Sequence, residues 1–241
     1  MKKLLFTFLL GTMSLFAQDK LVVDYEYRNE FDLSNQTDKE MIQLYKNAAE
    51  KKHEFQLIVD KNESVYKGIE KINNTQEEET TSVSFVIPGK IFYKDIRNNE
   101  TLTYEDFNGR KFIIKDTIST IAWTLTRETS KILGYEVKKA TAIVKNKIYE
   151  AWYTPKLDFR NGPAEFGGLP GLILKLEISV TNKKMPRKDI YQATNVMVNN
   201  KVKIEKPTKG QLVTKSEYKT IRDEMMKEFM NSESKMDKKI D

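Results

Sequence analysis

Apolar and polar residues alternate with period two through most of this chain. Leu21-Val22-Val23-Asp24-Tyr25-Glu26-Tyr27 predicts a strand with aromatic residues on one side. Phe55–Val59 predicts a second, Asp60-Lys61-Asn62 a turn, and Ser64–Lys67 the returning strand. A meander follows through Ile91–Tyr93, Leu102–Tyr104 and Phe112–Ile114. Its firmest turn is Asn108-Gly109, because both residues can take the positive φ that a two-residue hairpin needs. Further strands are predicted over Ala122–Leu125, Tyr135–Val144, Ile148–Tyr153, Leu172–Val180, Ile190–Val198 and Val202–Ile204.

Two segments have helical spacing instead. Thr37 and Glu40 are placed as a capping box, with Met41, Leu44, Tyr45 and Ala48 on one face. Thr214 and Glu217 repeat the box near the C-terminus. Val213 and Tyr218 are set as a staple, and Tyr218, Ile221, Met225 and Phe229 form an apolar stripe expected to pack on the sheet. The expected fold is mainly β with two helices (α+β). A large curved antiparallel sheet wraps as a half-barrel, as in lipoprotein carriers, because so wide a sheet must bury at least one face; a β-sandwich is the alternative. Residues 18–231 are expected to form one β-rich domain whose last helix covers about 214–230, with 232–241 a frayed tail.

Residues 1–17 depart from this pattern. Lys2 and Lys3 precede an apolar run that ends at Ala17, the layout of a signal peptide, and the run is short for a membrane span. Export across the inner membrane is therefore expected, to the periplasm or the outer-membrane periphery, with only peripheral membrane contact. The 241 residues contain no cysteine and one histidine, His53. Cysteine-bound zinc, disulfides and thiol nucleophiles are thereby excluded, and any histidine triad would have to use His53. The net charge of +6 is a mild bias, with lysines interspersed among carboxylates and no basic face interleaved with aromatics. Nucleic acid is not an expected partner. Glu77, Glu78 and Glu79 sit in a polar stretch at 70–82, but adjacent carboxylates do not converge on one cation; no metal and no cofactor is expected.

One loop is compositionally distinct. Asn161-Gly162-Pro163-Ala164-Glu165-Phe166-Gly167-Gly168-Leu169-Pro170-Gly171 holds four of the ten glycines and two prolines, ahead of an apolar strand. Gly162, Pro163, Gly167, Gly168, Pro170 and Gly171 mark a rigid loop, and Leu169-Pro170-Gly171 fits a type II turn. No phosphate-binding spacing is present. The run Gly168-Leu169-Pro170-Gly171-Leu172-Ile173 resembles the GLPGLI family of exported bacterial proteins. So do Ala151-Trp152-Tyr153-Thr154-Pro155, Trp123-Thr124-Leu125-Thr126, Ile132-Leu133-Gly134-Tyr135, Lys139-Ala140-Thr141 and Asn62-Glu63-Ser64-Val65-Tyr66. Many members carry a cysteine after the Gly-Tyr pair, where Glu136 and Val137 stand here. The resemblance implies a cell-envelope location, often beside outer-membrane receptor systems. It implies no activity and brings no catalytic residues.

The functional expectation is a non-enzymatic envelope binding module or carrier. Trp123, Trp152, Tyr153, Phe166 and Leu169 would line a groove for a hydrophobic ligand, lipid or peptide. The alternative is an accessory or docking partner of an outer-membrane receptor or transporter. A hydrolase is the third reading, with Asp158, Glu165 and Glu177 as carboxylates or His53 as a base; sequence spacing fixes no distance among them.

Overall fold

A computed structural model describes residues 20–69, 89–181 and 186–237, with side chains through residue 229. The signal segment at 1–17 and the acidic stretch at 70–82 lie outside the described residues. In chain order the elements are β1 (Leu21–Phe31), α1 (Lys39–Glu50), β2 (His53–Val59), β3 (Glu63–Gly68), β4 (Ile91–Asp95) and β5 (Glu100–Phe107). Then come β6 (Arg110–Thr117), β7 (Thr124–Ile132), β8 (Tyr135–Val144), β9 (Lys147–Thr154), β10 (Leu172–Val180), β11 (Arg187–Val198), β12 (Gln211–Thr214) and α2 (Lys215–Asp237).

All described strands join one open sheet in the order β12-β6-β5-β4-β3-β2-β1-β11-β10-β9-β8-β7. The fold is thus mainly β with two helices, in one sheet and not the two of a sandwich. Neighbours pair antiparallel, except that β12 lies parallel to β6, so the sheet is mixed. The β2–β3 turn forms as the sequence predicts, with Asp60 Oδ1 accepting from Asn62 N and Glu63 N at 2.7 and 2.8 Å. Asn108 and Gly109 take φ of +51° and +77°, as the β5–β6 hairpin requires.

Alternation along the strands divides the side chains between two faces. The inner face carries Tyr25, Tyr27, Phe55, Leu57, Tyr66, Tyr149, Ala151 and Tyr191, all in one buried cluster. Full burial of each large side chain contributes about 1.5–3 kcal/mol, so this face dominates the stability. Its aromatic rings pack against one another, with Phe55 stacked on Tyr66 at 5.1 Å and Tyr27 tilted on Tyr191 at 4.8 Å. The outer face buries Val22, Ile58 and Val65 beneath Val202 and Ile204. Residues 202–204 therefore form no strand; their apolar alternation serves to cover the sheet.

Helix α1 starts one residue later than the capping box predicts. Asp38 is the cap, accepting from Glu40 N and Met41 N, because a carboxylate at that position already satisfies the free N–H groups. The box at α2 forms as predicted. Glu217 N donates to Thr214 Oγ1 at 3.2 Å, and Thr214 N donates to Glu217 Oε2 at 2.7 Å. Tyr218, Ile221 and Met225 then pack on Phe112, Ile114 and Val213, seating α2 on the inner face beside β6. Phe229, the last residue of the predicted stripe, is exposed. The helix runs to Asp237, beyond the predicted end at 230 and into the expected tail, since no glycine or proline follows Lys215 to stop it.

Candidate functional site

The connection from β9 to β10, Pro155–Gly171, turns back over the inner face of the sheet and packs into it. Phe166 and Leu169 enter the main core, where Leu169 is 1% exposed. Backbone bonds brace the loop: Phe166 N to Pro163 O at 3.0 Å, Gly168 N to Arg160 O at 3.1 Å and Ile173 N to Asn161 O at 3.0 Å. The glycine at 171 has a steric reason. A Cβ there would lie 2.2 Å from the carbonyl oxygen of Thr154, and its φ of +144° is one that L side chains rarely adopt. The predicted type II turn is replaced by a tighter one, in which Gly171 N donates to Leu169 O at 2.8 Å across Pro170.

The loop covers only part of the inner face. Between it and α2 a cleft of about 740 Å³ remains open over β4, β5 and β6. Apolar walls come from Phe92, Ile114, Ile121, Tyr149, Phe166 and Tyr218, and hydroxyl groups from Thr101, Thr103 and Ser119. Register explains the strand contribution. Phe92 stands opposite Thr103, which pairs Ile114, while Lys94 stands opposite Thr101, which pairs Asp116. All six therefore point to the same side of the sheet.

Lys94 ties the loop to the sheet. Its Nζ donates to Asn161 Oδ1 at 2.8 Å and to the Phe166 carbonyl at 2.7 Å. Asn161 Nδ2 in turn donates to Ser64 Oγ on β3 at 2.8 Å. Burial pushes the Lys94 ammonium down to about 7, with the nearby Glu165 carboxylate acting in the opposite direction. Three carboxylates line the cleft. Glu105 is paired with Lys90 at 2.8 Å and Asp116 with Lys215 at 3.0 Å. The hydrogen bond from Lys215, first of all, holds the Asp116 carboxyl below its ordinary value. Glu165 is exposed and has no ion pair among the described residues. Burial raises the hydroxyls of Tyr66, Tyr149 and Tyr191, and the Glu165 charge raises them further. Glu165 is therefore a free acceptor facing an aromatic wall, placed to bind a substrate N–H or O–H or to take a proton.

The residues expected to line one groove do not converge. Phe166 lines the cleft. Leu169 and Tyr153 are core. Trp123 is half-buried and donates Nε1–H to the Gly167 carbonyl at 3.0 Å, bracing the loop from outside the cleft. Trp152 falls between inward-facing Ala151 and Tyr153, so it points to the other side of β9, where Lys139 Nζ lies 5.8 Å from its ring. Among the hydrolase candidates only Glu165 reaches the cleft. Asp158 is exposed on the loop, Glu177 is held by Lys175 and Lys188, and His53 is half-buried against Tyr27. Lys94, Glu105 and Asp116 were not singled out by the sequence, although alternation from Phe92 and Ile114 was the signal that could have found them.

Comparison with known proteins bears on this site. A family model described as "N-glycanase peptide, N-terminal domain" matches residues 45–223. Two solved structures of PNGF-II, in space groups C2 and P21, align with TM-scores of 0.55 at 21% and 22% identity. They cover 85% and 84% of this chain, and this chain spans 32% of the length of each. At that identity the likeness concerns the fold. A search of curated proteins found no match.

These findings correct the sequence expectations. The matching family is the N-glycanase domain, not the GLPGLI family that the Gly168–Ile173 run resembles. The reading of a non-enzymatic carrier or docking accessory also falls, because the matching family is described as an N-glycanase domain. The structure gives a physical reason as well. Phe166 and Leu169 fill the part of the inner face beneath the loop, so the groove the sequence analysis expected there is core.

Proposed function

Because this chain belongs to the family of N-glycanase peptide N-terminal domains, we propose that it works in the hydrolytic release of N-linked glycans. The cleft between the glycine–proline loop and α2 holds the glycan-bearing polypeptide. One observation carries this reading: every residue lining the cleft, from Lys90 to Arg222, falls within the matched stretch 45–223. The chemistry of the lining supports it. Sugars present apolar C–H faces and a fringe of hydroxyls, and the cleft offers aromatic and aliphatic walls with hydroxyl, carboxylate and ammonium groups around them. Glu165 is the carboxylate we assign to the substrate, as hydrogen-bond acceptor and candidate base. Family membership is compatible with export, and the Lys2-Lys3 and apolar pattern of residues 1–17 supports work in the periplasm or beyond the outer membrane.

The test compares an N-glycopeptide with the same peptide lacking its glycan, by fluorescence anisotropy and by mass spectrometry of released glycan. Preferential binding of the glycosylated form, weakened about tenfold in Glu165→Gln, is expected from the loss of a charged hydrogen bond of about 1.5–3 kcal/mol. Equal affinity for the two peptides would refute the proposal.

A further inference from the structure

The charge in the cleft is unbalanced. Lys90, Lys94, Lys215, Lys219 and Arg222 line it, against Glu105, Asp116 and Glu165. Lys90 and Lys215 are neutralised by Glu105 and Asp116, and Arg222 lies 3.4 Å from Asp223. Two cations are left without a paired carboxylate among the described residues. Lys219 is exposed and follows Lys215 by four residues, one turn along the face of α2 that borders the cleft. Lys94 is 5% exposed at the back, and the groups it reaches are a neutral amide and a carbonyl. An ammonium has three donors, so one remains beyond these two bonds. In its protonated form, below about pH 7, Lys94 is a buried cation with a spare donor behind an exposed one, a path for negative charge from mouth to floor.

Building on the N-glycan reading, we propose that the cleft selects glycans bearing an acidic group, a carboxylate or a sulfate, and that Lys219 and Lys94 receive it. Lys219 captures the group at the rim, and Lys94 offers its remaining donor at the floor. The paired carboxylates Glu105 and Asp116 keep the surrounding lysines from acting as a diffuse basic patch, so the preference is local. Glu165 stays available to the neutral part of the sugar.

The experiment uses the intact chain and one peptide carrying three glycans: neutral, sialylated and sulfated. Dissociation constants are measured by anisotropy in low and in high salt at a pH about one unit below the Lys94 pKa of about 7, where the ammonium is kept. The acidic forms should bind about fivefold tighter than the neutral form in low salt, the scale of one exposed ion pair, and the ratio should shrink in high salt. Lys219→Glu should bring the ratio to one or below. Lys67→Glu, on the outer face, should leave it unchanged. The sialylated and sulfated arms separate carboxylate from sulfate as the favoured group. Equal affinity for acidic and neutral forms, or a ratio that survives Lys219→Glu, overturns this inference while leaving the N-glycan reading standing. Failure of all three glycopeptides to bind better than bare peptide overturns that reading, and this inference with it.

Discussion

Lys94 makes the stability of this protein depend on pH in a window where few other groups titrate. The ammonium is buried, and its pKa falls from an ordinary 10.5 to about 7 because burial penalises the charged form. Below about 7 the lysine is protonated in both folded and unfolded chains, and the fold carries the full desolvation penalty. Between about 7 and 10.5 the unfolded chain binds the proton and the folded one does not, so raising the pH favours folding. The limiting slope is about 1.4 kcal/mol per pH unit, giving about 2–3 kcal/mol between pH 7 and 9. The neutral amine can still donate to Asn161 Oδ1 and Phe166 O, so the loop stays tied. Background titration is small: His53 is pushed below its ordinary value by burial and by Lys51, and the inner-face tyrosines are pushed upward. Urea denaturation at pH 7, 8 and 9 measures the effect as a rising midpoint at constant m. Lys94→Met should abolish the slope. It should also cost about 1–3 kcal/mol at pH 9, because the Phe166 carbonyl loses its donor. A wild-type midpoint that is flat from pH 7 to 9, or a slope that persists in Lys94→Met, would refute the reasoning.

Other substitutions address the same architecture. Glu165→Gln removes the charge that holds the Lys94 pKa up, so the rise in stability should begin at a lower pH in the same titration. Gly171→Ala sets a methyl 2.2 Å from the Thr154 oxygen in a strained φ; a loss above about 3 kcal/mol is expected by urea denaturation, and a loss under 1 kcal/mol would show that the turn can relax. Leu169→Ala leaves a cavity under the loop and should cost about 2–5 kcal/mol in the same assay. Thr214→Ala breaks the α2 cap and should cost about 1 kcal/mol, seen as a lower thermal midpoint.

Local rules made much of the fold legible, and long-range pairing hid the rest. Asn108-Gly109 and Thr214/Glu217 formed as read, because turn and cap chemistry act over a few residues. The parallel pairing of β12 with β6 joins segments far apart in the chain and leaves no local trace. Val202 and Ile204 alternate like a strand because they cover the outer face of one. The glycine–proline loop stood out by composition, yet its direction did not. Only the folded chain shows that it turns inward and buries Phe166 and Leu169 in the core. Trp152 was grouped with Tyr153 although period two already separates adjacent strand residues between faces. Lys94 is the instructive miss. A lysine within an apolar strand reads as solvated, and its burial depends on Ser64, Asn161 and Phe166 arriving from other segments.

The central claim is that the cleft over β4, β5 and β6 receives the glycan. Hydrogen exchange with and without a saturating N-glycopeptide tests it most directly. Slowed exchange in β4–β6, at residues 160–168 and in the first turns of α2, with no change from the unglycosylated peptide, is the predicted result. Protection confined to the outer face around residues 202–204, or no protection anywhere, would contradict the account.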